Sequence, residues 1–183
     1  MDNDRKRLIR DWTFLALCAA TVLSTISLVR PMEEWLKSNG VLSILVVGPI
    51  VLIFFVLVIL AIISLARPGQ GRAVRLFYLL NIAIAYFLLF QVLGKFPVER
   101  AHLVVYGAAG ILALRVAWHY KRGIEAYALA FTMTFFLGFM DEAIQYFTPG
   151  RVYDPRDVAT DAISGLMGLL VCAVLSKRAA KKD

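Results

Sequence analysis

The chain has 183 residues, of which 60% are hydrophobic and 18% charged, with a net charge of +7 and a mean hydropathy of +0.73. Soluble domains carry about a quarter charged residues and under half apolar ones. Here the excess lies in runs too long for core helices, which excludes a soluble enzyme, a disordered linker and a disulfide scaffold.

Six apolar stretches follow in order: 12–29, 41–66, 74–94, 101–118, 124–140 and 158–175. Residues 41–66 alone are 26 consecutive positions without a charge, and roughly 20 suffice to cross the hydrocarbon core. Nothing alternates with period two, and helices satisfy every backbone group inside lipid. The expected fold is therefore all-α, a polytopic transmembrane helical bundle of about six spans. Short connections predict antiparallel neighbours. The chain divides into an N-terminal membrane region of three helices (1–94), a three-helix region (95–176) and a basic tail (177–183).

Orientation follows from Lys and Arg. With both termini in the cytoplasm, Arg5, Lys6, Arg7, Arg10, Arg67, Arg72, Arg75, Arg115, Lys121, Arg122, Lys177, Arg178, Lys181 and Lys182 all lie inside. Only Arg30, Lys37, Lys95, Arg100, Arg151 and Arg156 lie outside. This asymmetry is the positive-inside pattern. Eight of the thirteen acidic residues fall outside, so the inner side carries +9 and the outer side −2. The basic balance is used on topology and anionic lipid, and nucleic-acid binding is not expected. Arg5 to Arg10 precede the first stretch as in a secretory leader. Ser27-Leu28-Val29-Arg30-Pro31 is a poor cleavage site, however, so a signal anchor is expected. Cys18 and Cys172 both fall inside spans, where no disulfide or thiolate zinc site is expected.

Polar residues gather at the outer ends of the last three helices. Glu99-Arg100-Ala101-His102 opens one helix, and Tyr106 shares the His102 face one turn on. That face continues through Ala109, Gly110 and Ala113, small residues that admit a close neighbour. The next helix places Thr134, Gly138, Asp141 or Glu142, and Gln145 on one face. Two carboxylates at the end of a span are readily explained if they reach water. Phe147-Thr148-Pro149-Gly150-Arg151 is a turn signature. In the last helix Asp154 is the expected N-cap, Pro155 the first helical residue and Asp157 the third. Asp161 lies deeper, on a face with Asp157, Gly165, Gly168 and Cys172. A carboxylate inside a span costs roughly 2.5–3.5 kcal/mol on insertion scales and calls for a partner or a wet cavity. Its candidate partners are His102, Arg100, Arg151 and Arg156.

These residues carry a resemblance. Glu99-Arg100, His102, Tyr106, Asp141-Glu142, Gln145, Pro149-Gly150-Arg151, Asp157, Asp161, Gly165 and Gly168 resemble, in order and spacing, the pattern of the VanZ-like family of bacterial membrane proteins. The family more often has Asn at the position of Asp161. The likeness is read over roughly 95–175. It implies a multi-pass protein of the bacterial cytoplasmic (inner) membrane, and the family's namesake is linked to low-level teicoplanin resistance.

Three function classes fit. In the first, a lipid or lipid-linked envelope precursor is bound or modified at an extracytoplasmic site. Arg100 and Arg151 hold phosphate there, with Tyr106, Gln145 and Asp157 lining the site. His102 acts as acid or base against Asp141, Glu142 or Asp161, and whether turnover occurs is left open. In the second, the carboxylates bind or transport a cation. No cofactor is expected as such, although a divalent cation suits the oxygen-rich set. In the third, the protein is a non-catalytic membrane assembly factor whose small-residue faces serve packing first. The bland alternative is a capped, hydrogen-bonded bundle mouth in which His102 merely satisfies Asp161. The oligomeric state is not encoded legibly.

Overall fold

The computed structural model describes residues 2–25, 29–66, 71–93, 99–149 and 153–176. Among these the chain forms seven helices and no strand: α1 (Asp2–Thr25), α2 (Val29–Ser38), α3 (Leu42–Ala66), α4 (Arg72–Val92), α5 (Glu99–Ala117), α6 (Gly123–Phe147) and α7 (Pro155–Leu175). Four segments are long and apolar enough to cross a membrane: Arg72–Val92, Arg100–Ala117, Gly123–Phe147 and Pro155–Leu175. In α3 the described stretch Val51–Ile63 is also apolar.

One element differs from expectation. Helix α2 occupies what reads in sequence as the link between the first two apolar stretches. At 10 residues it is too short to span, and it mixes Met32, Trp35 and Leu36 with Glu34 and Lys37. That composition suits a helix lying in an interface. Gly40 at φ +69° ends the segment, and the Val41 amide donates to Leu36 O at 3.0 Å. This is the left-handed glycine closure that helices commonly use. Helix α6, by contrast, runs to Phe147, two turns past its apolar stretch, as the shared face through Gln145 implies. The extension keeps Asp141, Glu142 and Gln145 in one helix with Thr134 and Gly138, and all five are buried.

The bundle is built around α5, which packs most extensively on α7 and α6 and also meets α1, α3 and α4. Glycine sets the α5–α7 approach. A Cβ at Gly168 would lie 2.1 Å from Gly107 O, and one at Gly110 would lie 2.5 Å from Gly165 O. Backbones this close require residues without side chains. The small face on α5 therefore serves packing within the chain, with Gly107 as an additional member.

Apolar burial divides into two clusters. One joins Leu15 of α1 to Leu114, Val116, Ala126, Ala130 and Leu169. The other joins Ile82, Tyr86 and Leu93 around α4 to Leu103 and Met167. Phe54, Phe55, Ile59, Phe77, Phe87, Leu88 and Phe136 face outward and are exposed. In water such a surface would drive association, whereas hydrocarbon solvates it without cost. The interior, by contrast, holds Asp141, Glu142, Gln145 and Asp161.

Candidate functional site

The N-terminal ends of α5 and α7 and the C-terminal end of α6 meet at one end of the bundle. His102 stands in the first turn of α5, and its Nδ1 lies 2.8 Å from Asp161 Oδ1. The Asp161 side chain is fully buried, whereas that of His102 retains 19% exposure. Imidazole is thus the member of the pair that reaches the bundle exterior. One turn deeper on α5, Tyr106 donates its hydroxyl to Asp141 Oδ2 at 3.0 Å, and its ring lies 5.6 Å from that of His102. The tyrosine is 1% exposed and Asp141 3%.

Close packing places Asp161 there. Gly138 of α6 leaves space for it, since a Cβ at that position would sit 2.8 Å from Asp161 Cβ and 3.1 Å from Oδ2. Glu142 and its neighbours form a second group. Gln145 Nε2 donates to Glu142 Oε1 at 2.7 Å, and the Asp154 backbone amide donates to Oε2 at 3.0 Å. Oε2 of this carboxylate therefore ties the end of α6 to the start of α7, while Oε1 is held within α6. Asp141 and Glu142 do not reach water at the helix end, contrary to the simplest reading of the sequence. The extension of α6 and the covering N-terminus of α7 bury them, and hydrogen bonds replace solvent.

Asp154 is the expected cap, accepting from the Arg156 amide at 2.9 Å with Pro155 in the first helical turn. Its carboxylate also receives the Arg156 side chain at 2.9 and 3.0 Å. That hydrogen bonding holds its pKa below the ordinary aspartate value. Asp157 is half-buried in the first turn of α7. Arg100 is buried, with its guanidinium 4.0 Å from the centroid of the Phe90 ring. Arg151, expected to hold phosphate or pair with Asp141 or Glu142, lies outside the described residues.

Of the expected residues, His102, Tyr106, Asp141 and Asp161 thus form one hydrogen-bonded cluster. Glu142 and Gln145 form a second beside it. One donor atom from each of His102, Asp141 and Asp161 lies within 4.8 Å of the others. Such a set can relay a proton, accept a hydrogen bond from a ligand or hold a cation.

A further polar cluster sits at the opposite end of the bundle. Asp11 of α1 is only 6% exposed. It accepts from Arg115 Nη2 at 2.8 Å, pairs with His119 Nε2 at 3.0 Å and accepts from Arg10 at 3.2 Å. Burial works against its ionised form, but His119, Arg10 and Arg115 outweigh it and lower the pKa. Trp12 Nε1 donates to the Tyr120 hydroxyl at 2.9 Å beside it. The available signal was the spacing of Arg115 in the last turn of α5 and His119 in the turn just past its end at Ala117.

The long apolar helices, the outward aromatic surface and the buried polar interior are those of a helical membrane protein. The chain matches the model of the VanZ/LLP1 family over residues 13–176 and belongs to that family. The match takes in α2 to α7 and most of α1, more than the 95–175 over which the motif resemblance is legible. No curated protein and no solved structure matches the chain.

Proposed function

We propose that this protein binds or modifies a lipid or lipid-linked cell-envelope component at a polar site centred on His102. In this reading the chain is a multi-pass protein of the bacterial cytoplasmic membrane, with six spans and both termini inside. The site then faces the extracytoplasmic side. The observation that carries the reading is the His102–Asp161 pair, a part-exposed imidazole held at 2.8 Å by a carboxylate with no exposure of its own. A carboxylate bonded to one ring nitrogen fixes the orientation and tautomer of the ring and leaves the other nitrogen for a ligand. Arg100, buried in the same first turn of α5, and Arg151 supply charge for a phosphate. Binding alone is enough to alter the envelope, and turnover adds acid–base work by His102.

The test compares wild type with His102→Ala at matched membrane levels in a bacterial host. It reads teicoplanin susceptibility together with the phospholipid and lipid-linked precursor profile by mass spectrometry. Wild type is expected to shift at least one of these against an empty vector, and the variant to lose that shift. A shift unchanged in His102→Ala overturns the reading. A shift without lipid turnover in either reconstituted protein assigns the binding form.

A further inference from the structure

We propose that His102, Asp141 and Asp161 form a binding site for a divalent transition metal, Zn²⁺ or Mn²⁺. The proposal rests on the reading of His102 as the centre of the site, and its measurement does not depend on any lipid.

Three observations carry it. First, the three side chains come from three different helices, yet one potential ligand atom of each falls within 4.8 Å of the others. Ligands at bond lengths of about 2.0–2.2 Å stand roughly 3–3.5 Å apart, so closure needs about an ångström of side-chain rotation. His102 Nδ1 and Asp161 Oδ1, at 2.8 Å, are already this close, and an ion held by both would replace the proton they share, with His102 binding through Nδ1 instead of through the outer nitrogen. Second, Asp161 is fully buried, and its Oδ2 has no partner in good hydrogen-bond geometry among the described residues; the Tyr106 hydroxyl approaches this carboxylate but donates its proton to Asp141 Oδ2. That oxygen lies against Gly138 of α6, one turn from Asp141. A buried carboxylate oxygen without a donor is costly, and an ion is one of the few groups that satisfies it. Third, the surroundings are those of a supported ligand set. Tyr106 donates to Asp141 Oδ2 at 3.0 Å and fixes the plane of that carboxylate, as outer-layer partners of metal ligands do.

The donor set selects the ion. One imidazole nitrogen with two carboxylates suits borderline ions, because imidazole favours zinc-like metals and carboxylates favour manganese. Ca²⁺ wants six to eight oxygens, and Mg²⁺ keeps most of its water. Three protein ligands also leave an open position, which an oxygen of a phosphate-bearing ligand could take.

The experiment uses untagged full-length protein in nanodiscs, stripped with chelator and titrated calorimetrically with Zn²⁺, Mn²⁺, Ca²⁺ and Mg²⁺. Expected is one saturable site per chain for Zn²⁺ or Mn²⁺, at least tenfold tighter than for Ca²⁺ or Mg²⁺. His102→Ala and Asp161→Asn should each weaken it at least tenfold, while His119→Ala at the other end of the bundle should not. Because those variants could misfold, the otherwise intact His119→Ala protein is also loaded with Mn²⁺ for pulsed paramagnetic resonance. Coupling to an imidazole nitrogen is expected from His102 there. No saturable binding, equal affinity for Ca²⁺, or a bound Mn²⁺ without nitrogen coupling overturns the inference. Metal binding with an unchanged envelope leaves the inference standing and defeats the lipid reading. An envelope effect that needs His102 without metal binding does the reverse.

Discussion

The α5–α7 contact makes a sharp prediction, because the same substitution should be costly at one glycine and nearly neutral at another. In Gly168→Ala the new Cβ would begin 2.1 Å from Gly107 O, 2.9 Å from Gly107 C and 3.2 Å from its Cα. All three are backbone atoms, so no rotamer change relieves them. Restoring ordinary contact near 3.4 Å requires the helices to part by roughly 1.3 Å at that crossing. Overpacking usually costs about 1–3 kcal/mol, and an immovable neighbour places this case toward the upper end. Gly→Ala also gains about 1 kcal/mol of helix propensity, so the expected net loss is about 2 kcal/mol. At Gly48 in α3 nothing lies within 4 Å of the added Cβ, but Pro49 follows and disfavours a side chain on a helical residue before it, so the propensity gain is largely offset and little net change is expected. The two variants should differ by about 2 kcal/mol.

The effect reaches the site. His102 lies five residues from Gly107, and Asp161 lies seven from Gly168. A parting of about an ångström would stretch the 2.8 Å His102–Asp161 contact beyond the reach of a hydrogen bond. Thermal unfolding in detergent, followed by tryptophan fluorescence, measures the first consequence, with about 2–4 °C expected per kcal/mol. Metal affinity or envelope effect measures the second. Gly168→Ala matching Gly48→Ala in midpoint would refute the argument that backbone approach at Gly107 sets the α5–α7 geometry.

Asp11→Asn should destabilise the bundle by about 2–3 kcal/mol, because Arg115 and His119 lose a buried anionic partner; chemical denaturation beside wild type measures it. The pKa of Asp11 is held below the ordinary 3.8, so its contribution is complete above that value and is lost as pH falls through the lower folded value. The acid limb of wild-type stability should therefore flatten in the variant, and an unchanged limb would assign it to other carboxylates. Asp154→Ala should cost about 1 kcal/mol as a lost helix cap, while the backbone amide of residue 154 still serves Glu142. Amide exchange should accelerate in the first turn of α7 and not at Tyr106, and general acceleration would show that the cap holds more than its own helix.

Hydrophobic run length and the Asp154-Pro155 start signal made four of the apolar helices and the head of α7 legible from residue order. The His102 face and the deep position of Asp161 were legible for the same reason, since a helix fixes which residues share a side. What escaped depends on contacts between distant segments. Asp11 reads as one more charge before an apolar stretch until α1 lies against α5 and meets Arg115 and His119, more than a hundred positions on. The burial of Glu142 needed the α6 extension together with the Asp154 amide, a donor that belongs to every residue type and leaves no mark in composition. Gly107 carries no mark of its own in the residue order, and only its partner Gly168 distinguishes it. Helix α2 escaped because ten residues with mixed charge carry too little periodic signal to separate a helix from a link.

The two polar clusters also bear on what sort of protein this is. Helix α5 carries His102 near one end and Arg115 near the other, roughly 20 Å apart at 1.5 Å per residue. Between them its buried residues include Tyr106, Ala109, Ala113 and Leu114. Two buried hydroxyls of α6 and α7, Thr134 and Ser164, donate back to their own helix, at 2.9 Å to Ala130 O and 2.6 Å to Thr160 O, while the Tyr86 hydroxyl of α4 lies against Gly107. A proton or ion relay across the membrane needs groups that exchange partners, and side chains committed to their own backbone do not offer that. Among the described residues, the two polar ends of the interior are joined by a tightly packed, small-residue seam in which the polar side chains are chiefly hydroxyls. A seam of that kind fixes positions, and the residues it positions most directly are His102 and Asp161. This favours a site working from one face over a path through the bundle.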